Sequence, residues 1–288
     1  MPILTETQLQ EFGVALLAAG GANESEALIV GRSLVQANLR GHDSHGVMRI
    51  PFYVKQVQDG KLNAGSDLNV VQETSGTVVG DGNWGFGQVL SRQLMEKLMD
   101  KASTVGIASG SLRQSAHIGR LGEYAEMAAA KNMSAIICAN THGAAQRVAP
   151  VGGKRPRLGT NPLCIGMPGG KNGPFILDFG TSATAEGKVR VKKIAGEKVP
   201  DGWVLDPEGN PTNDPHQLYG DPPGTILPMG GDQAYKGFGL SFMIEMLCGA
   251  LSGGQCAYPN PPAPVGNAAF FIVINPSQYA GFEHLQSE

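Results

Sequence analysis

From Thr5 to Ala19 apolar residues recur at helical spacing, with Thr5 and Gln8 in capping-box register before them and Gly20-Gly21 after. Asn23 with Glu26 opens a second helix that carries Ala27, Ile29, Val30, Leu34 and Val35 and ends near Gly41. Pro51 to Gln58 predicts a third, stopped by Gly60, with Ile50 biased away from the helical region by the proline that follows it. After this helical unit the texture changes. Leu68–Val71, Thr77–Val79, Gly106–Leu112, Ser134–Asn140, Pro174–Phe179 and Phe270–Asn275 predict strands. Between and around them, Gln88–Ala102, Leu121–Lys131, Thr184–Ile194 and Lys236–Leu251 predict helices. The alternation implies an α/β or α+β protein, with a helical domain over 1–75 and an α/β domain over 76–288. Lys198–Gly231 is rich in Pro, Gly and Asp and reads as one long loop, of the kind that serves as a lid or an oligomer contact.

The Lys236–Leu251 helix is apolar around most of its surface, so it must be buried. We expect it to leave exposed apolar surface, to be covered by a second subunit, or to destabilise the chain. Even this run is broken by Glu245, and no apolar run reaches membrane-spanning length. The first residues show no signal-peptide pattern. Four cysteines, Cys138, Cys164, Cys248 and Cys256, form no Cys-x-x-Cys pair, and the first three sit in apolar runs. That usage fits reduced thiols and a cytoplasmic protein. A net charge of −3 without a basic stripe gives no reason to expect nucleic acid or membrane as a partner.

Chemistry concentrates in Arg40-Gly-His-Asp-Ser-His-Gly-Val-Met-Arg49, which holds two of the six histidines. His45 suits proton transfer, because imidazole titrates near neutral pH. Arg49 suits a two-pronged grip on a carboxylate, and a helical segment would put it on the same face as His45. Ser44 can hydrogen-bond a substrate oxygen or cap the following helix, and Asp43 can orient a histidine. The plain alternative is a surface turn of solvated charges. His42 and His45 have metal-ligand spacing, but no third ligand lies nearby, and no metal is expected.

Four other places attract attention. His117 follows a strand and precedes a helix, where α/β proteins expose site residues. Gly159-Thr160-Asn161-Pro162 is a polar turn. Asp178 stands inside an apolar strand, ahead of Gly180-Thr181-Ser182, whose hydroxyl and amide groups suit a phosphate or ribose. Lys236, after Tyr235, opens the last long helix and can neutralise a phosphate or carboxylate. Gly80-Asp-Gly-Asn-Trp-Gly85 matches the dinucleotide fingerprint but lacks the acid that should end the next strand. Arg113 there would suit a 2′-phosphate instead.

In Arg40–Gly46 with Arg49, Ala116-His117, Gly159–Pro162, Leu177–Ser182 and Lys236–Gly239, the chain resembles the malate/L-lactate dehydrogenase family. That family also includes ureidoglycolate dehydrogenase, diketogulonate reductase, sulfolactate dehydrogenase and the piperideine-carboxylate reductases. The resemblance implies an NAD- or NADP-dependent oxidoreductase acting on 2-hydroxy or 2-oxo acids or on cyclic imino acids. It implies a non-Rossmann cofactor domain, a largely antiparallel sheet with flanking helices, and a homodimer. It assigns His45 as proton donor, Arg49 as carboxylate binder and His117 as the acid–base group of some members. Substrate contacts would come from Ser44, Arg49, Thr160 and Asn161. Cofactor contacts would come from Asn140, Ile176, Leu177, Asp178, Phe179, Gly180, Thr181, Ser182, Tyr235 and Lys236. Asp178 would hold a histidine or Lys236 in its charged form, or bind ribose. Family members continue beyond the position of Glu288 with further helices and a Pro-Gly-Glu contact, which this chain is expected to lack. A cofactor-binding protein without activity is the corresponding rival reading.

Overall fold

The computed structural model of the protein describes residues 3–261 and 264–288. Helices α1 (Glu6–Ala19) and α2 (Glu24–Leu39) form where the periodicity puts them. Both open with reciprocal capping boxes, Thr5 with Gln8 and Asn23 with Glu26, each cap being worth about 1 kcal/mol. Two 3-10 turns, Asp43–His45 and Val47–Arg49, then lead into α3 (Ile50–Gln58). Contrary to expectation Ile50 is helical, with φ −53° and ψ −50°. Pro51 lies in the first turn, where its missing N–H costs no hydrogen bond. Burial of Ile50 among Leu17, Val30, Leu34 and Tyr53 offsets the remaining steric bias.

The rest of the chain runs β1 (Asn69–Glu73), β2 (Thr77–Asp81), α4 (Gly87–Val105), β3 (Ile107–Ser115), α5 (Gly122–Ala129), β4 (Ser134–Asn140), β5 (Pro162–Met167), β6 (Phe175–Gly180) and α6 (Glu186–Ala195). There follow β7 (Val204–Leu205), β8 (Pro211–Thr212), β9 (Thr225–Ile226), α7 (Ala234–Glu245), β10 (Asn267–Ile274) and α8 (Phe282–Ser287). The described residues form a seven-stranded sheet in the order β1-β2-β3-β10-β4-β5-β6, antiparallel except between β2 and β3. The architecture is thus the expected mixture of helices with a largely antiparallel sheet. The last strand in sequence, β10, is the central one, and Phe271 and Val273 on it are fully buried. One face packs Leu90, Leu94 and Leu98 of α4 and Tyr124 of α5 into the main core. The other face packs Ile244 and Cys248 against Cys138 and Ala268. The hairpin of β1 and β2 spans residue 75, so β1 joins the sheet rather than the helical unit.

Several elements differ from the sequence reading. Strand β5 lies where only a turn was expected, because Pro162 and Gly166 mask its apolar character. Lys198–Gly231 is not structureless: β7, β8 and β9 form a small sheet over Val148, Val189, Val199, Leu218 and Ile226. Two-residue strands carry no alternation to read. Strand β6, apolar in sequence, is an edge strand with Phe175 73% and Leu177 53% exposed. The glycine fingerprint is a closed turn between β2 and α4. Its Asp81 binds Arg113 Nε at 2.9 Å, and Gly82 and Trp84 donate to carbonyls at the end of β3. Arg113 is thereby occupied, and the dinucleotide reading of this turn is set aside.

Helix α7 passes into a π-helical turn at Met246–Leu251. As expected of so apolar a stretch, part of it remains uncovered, with Met243 56% and Leu251 66% exposed. The four cysteines are free, and Cys138 and Cys248 lie 3.6 Å apart in the core. Among the described residues no helix is long and apolar enough to cross a membrane.

Candidate active site

The Arg40–Arg49 segment is pinned to α2 by a single side chain. Asn38 Nδ2 donates to Asp43 Oδ1 at 2.6 Å, and Asn38 Oδ1 accepts the Val47 N–H at 2.9 Å. Gly46 must be glycine for space: a Cβ there would lie 2.2 Å from Asn38 Oδ1. Asp43 is therefore used on Asn38 and does not orient a histidine. Arg49 Nε donates to the Ser44 carbonyl at 2.6 Å, which folds the guanidinium back over the turn and leaves its terminal nitrogens without a partner among the described residues. Ser44 caps no helix; its hydroxyl lies 3.0 Å from His45 Nδ1.

His45 and His117, distant in sequence, stack with ring centroids 5.3 Å apart. Gln88 Nε2 donates to Tyr53 Oη at 2.9 Å, which leaves the phenol proton for His117 Nδ1, 2.7 Å away. Gly119 N–H also points at that Nδ1, at 3.3 Å. Nδ1 of His117 is thus an acceptor, and its proton sits on Nε2. Burial, then the charges of Arg49, His42 and Arg120, depress His45 to about 3. Burial, then Arg49 and His45, hold His117 well below its usual value. At neutral pH both imidazoles are uncharged in the free site, beside a permanently charged guanidinium.

Two clefts meet at His45. The larger, of about 620 Å³, is lined by His42, Ser44, His45, Arg120, Thr160, Asp178, Phe179, Gly180, Ser182 and the start of α6 as far as Lys192. The smaller, of about 270 Å³, is lined by His45, Arg49, His117, Asn140, Thr160, Arg147, Arg190 and Asn267. Gly187 lets α6 close on the Asp43–His45 turn, since a Cβ there would lie 2.6 Å from Ser44 Cβ.

Asp178 accepts the Gly122 N–H at 2.8 Å, at the start of α5, and among the described residues it makes no hydrogen bond to a histidine or to Lys236. Burial pushes its carboxyl up, against the Gly122 amide and the charges of His42 and Arg120. Arg120 is buried, pairs with Glu126 at 2.7 Å, and leaves its Nε without a partner. Thr181 donates to the carbonyls of Thr160 and Asn161, and Ser182 to that of Thr184, so both hydroxyls brace the cleft wall. Ile176 packs on the main core, while Leu177 faces outward. Asn161 turns away from the clefts and donates to Glu245 Oε2 at 2.7 Å and the Ser241 carbonyl at 3.1 Å. Asn140 donates to Glu245 Oε1 at 2.9 Å. Tyr235 and Lys236 are exposed and line neither cleft.

Sequence reasoning missed Tyr53, Gln88 and Asn267, which no motif marks. Glu245 was visible as a charge in an apolar run. It is buried and accepts from Asn140, Asn161 and the Ala257 N–H, so it ties β4 and the start of β5 to α7 behind the smaller cleft.

A model described as malate/L-lactate dehydrogenase matches residues 4–288. Hydroxycarboxylate dehydrogenase B of Escherichia coli K12 is 38% identical over 275 residues, which span 94% of this chain and 75% of that protein. The solved sulfolactate dehydrogenase of Methanocaldococcus jannaschii superposes with a TM-score of 0.85 at 35% identity, over 99% of this chain and 81% of that one. Δ1-Piperideine-2-carboxylate reductase of Pseudomonas syringae pvar. tomato superposes at 0.89 with 29% identity, over 100% and 86%. With sequence and fold matching along nearly its whole length, the chain belongs to the malate/L-lactate dehydrogenase family.

Proposed function

We propose that the protein is an NAD- or NADP-dependent 2-hydroxy-acid dehydrogenase that moves a hydride between nicotinamide and C2 of a small 2-hydroxy or 2-oxo acid. The observation that carries this reading is the meeting of an uncharged His45, an available Arg49 and His117 at the junction of two clefts.

The larger cleft suits the cofactor. Lys188 offers positive charge to phosphates, Lys192 and the buried Arg120 stand beside it paired with Glu197 and Glu126, and the buried Thr184 Oγ1 and Arg120 Nε await partners. A nicotinamide bound there supplies or accepts the hydride. Arg49 fixes the substrate carboxylate and so orients C2. His45, uncharged at neutral pH, takes the hydroxyl proton during oxidation. In reduction, a carboxylate on Arg49 offsets the guanidinium charge and raises the His45 pKa, which favours the donor form. His117, with its proton on Nε2, donates a hydrogen bond to the substrate oxygen and stabilises developing charge there. Ser44 steadies the His45 ring, and Thr160, shared by both clefts, lies at their boundary.

The likeness to a piperideine-carboxylate reductase favours one second reading, in which the same groups protonate the nitrogen of a cyclic imine. Nicotinamide fluorescence on titration with the protein, followed by turnover of 2-oxo acids and cyclic imino acids, distinguishes them. Quenched or enhanced fluorescence with 2-oxo-acid reduction is the expected result; no response to either cofactor would sink the reading.

The exposed Phe242, Met243, Met246 and Leu251 support a homodimer that covers this face. Sedimentation is expected to give twice the 30.1 kDa chain mass, and a monomer at all concentrations would overturn it. The buried free thiols favour a cytoplasmic location.

A further inference from the structure

The smaller cleft carries more positive charge than a monocarboxylic acid can use. Its lining has three guanidinium groups, Arg49, Arg147 and Arg190, and one carboxylate, Glu186. Glu186 is committed to Arg190, whose terminal nitrogen lies 2.9 and 3.1 Å from its two oxygens. Among the described residues the terminal nitrogens of Arg49 have no partner. Among the described residues Arg147 makes only backbone hydrogen bonds, from its N–H to Leu158 and from Ile226 to its carbonyl, at 2.8 Å each. Those bonds, with the bridges of Val148 to Leu158 and Ile226, fix the root of the Arg147 side chain. Burial keeps His45 and His117 uncharged, so neither histidine alters the balance. Three positive groups less one carboxylate leave two charges uncompensated in a cleft of about 270 Å³.

A monoanion held by Arg49 would neutralise one of these and leave Arg147 facing the apolar end of the substrate. A dianion neutralises both, and guanidinium forks are well matched to carboxylate and sulfonate oxygens. Resting on the dehydrogenase reading above, we propose that Arg147 binds a second anionic group of the substrate. The preferred substrates are then 2-hydroxy acids that carry a carboxylate or sulfonate at the far end, rather than lactate-like monoacids. A site that pairs a substrate charge rejects the analogue lacking it, because the cation is left unpaired.

The test is oxidation of malate, 3-sulfolactate, lactate and 2-hydroxybutyrate with NAD+ and with NADP+, by the full chain and its Arg147→Gln and Arg147→Lys variants. In the wild type, kcat/KM for malate or 3-sulfolactate is expected to exceed that for 2-hydroxybutyrate by about a hundredfold or more. The better of the two dianions identifies the second group as carboxylate or sulfonate. In Arg147→Gln that ratio should collapse toward unity, with Arg147→Lys in between, because lysine keeps the charge and loses the fork. The ratio is taken within one preparation, so it does not depend on how much of a variant folds. Parity of 2-hydroxybutyrate with both dianions in the wild type overturns this proposal alone. So does an Arg147→Gln effect that is equal for all substrates, or that appears in the cofactor KM and marks a cofactor-phosphate contact. Absence of turnover for every acid with either cofactor overturns the dehydrogenase reading and this proposal with it.

Discussion

His45→Ala is expected to lower kcat by about 10²–10⁴-fold, the usual contribution of a positioned general acid–base group, while cofactor binding survives. Arg49 and His117 remain to bind and polarise the substrate in the variant, so the loss should fall mainly on kcat rather than KM. Wild-type-like kcat across pH would remove His45 from the mechanism and move the proton to His117. That outcome would require the proton to leave Nε2 of His117, or Tyr53 to turn away from its Nδ1. The same variant has a second signature, in stability. His45 falls from 6.5 in its ordinary environment to about 3 in the fold. A group whose folded pKa is depressed contributes stability that is complete above the unfolded value and is lost as pH falls through the folded one. Wild-type stability should therefore decline from about pH 6.5 downward, by more than carboxylate titration alone produces. His45→Ala should show a shallower decline in urea unfolding at pH 7.5, 6 and 5. Parallel curves for the two proteins would mean that His45 is not held uncharged by the fold.

Glu245→Leu is expected to cost about 3 kcal/mol or more, because it strands several buried donors at once. The Asn140 and Asn161 amides and the Ala257 N–H all point at this carboxylate. Leucine is close in size, so the loss would not be one of volume. Burial pushes the Glu245 carboxyl up, while its three donors pull it down, which is the balance of a carboxylate retained for its hydrogen bonds. Thermal unfolding should shift down by roughly 5–10 °C for a chain of this size. An unchanged midpoint would show that the two asparagines find other partners. Because Asn140 also lines the smaller cleft, residual folded protein should bind substrate more weakly than the wild type.

Much of the fold was legible in local patterns. The capping boxes at Thr5 and Asn23 and the apolar periodicity of α1, α2 and α4 are properties of short windows, and short windows determine helices. Ser134–Asn140 was readable as a strand because it is buried on both faces and nearly all apolar. Strand β5 was not, because Pro162 and Gly166 mask its apolar character, and the β7–β9 sheet was not, because two-residue strands carry no alternation to read.

The chemistry divides in the same way. The residue types gathered in Arg40–Arg49 marked His45 and Arg49 as a candidate site from sequence alone, because groups suited to acid–base chemistry and carboxylate binding lie within ten residues. Only the tertiary structure stacks His117 on His45, fixes the His117 proton through Tyr53 and Gln88, and depresses His45 by burial. It also turned Asn161 inward to Glu245, put Asp178 on the first amide of α5, and placed Arg147 at the wall of the smaller cleft with no acid paired to it among the described residues. Desolvation, ring stacking and charge balance depend on neighbours brought together by folding, and no window of sequence contains them.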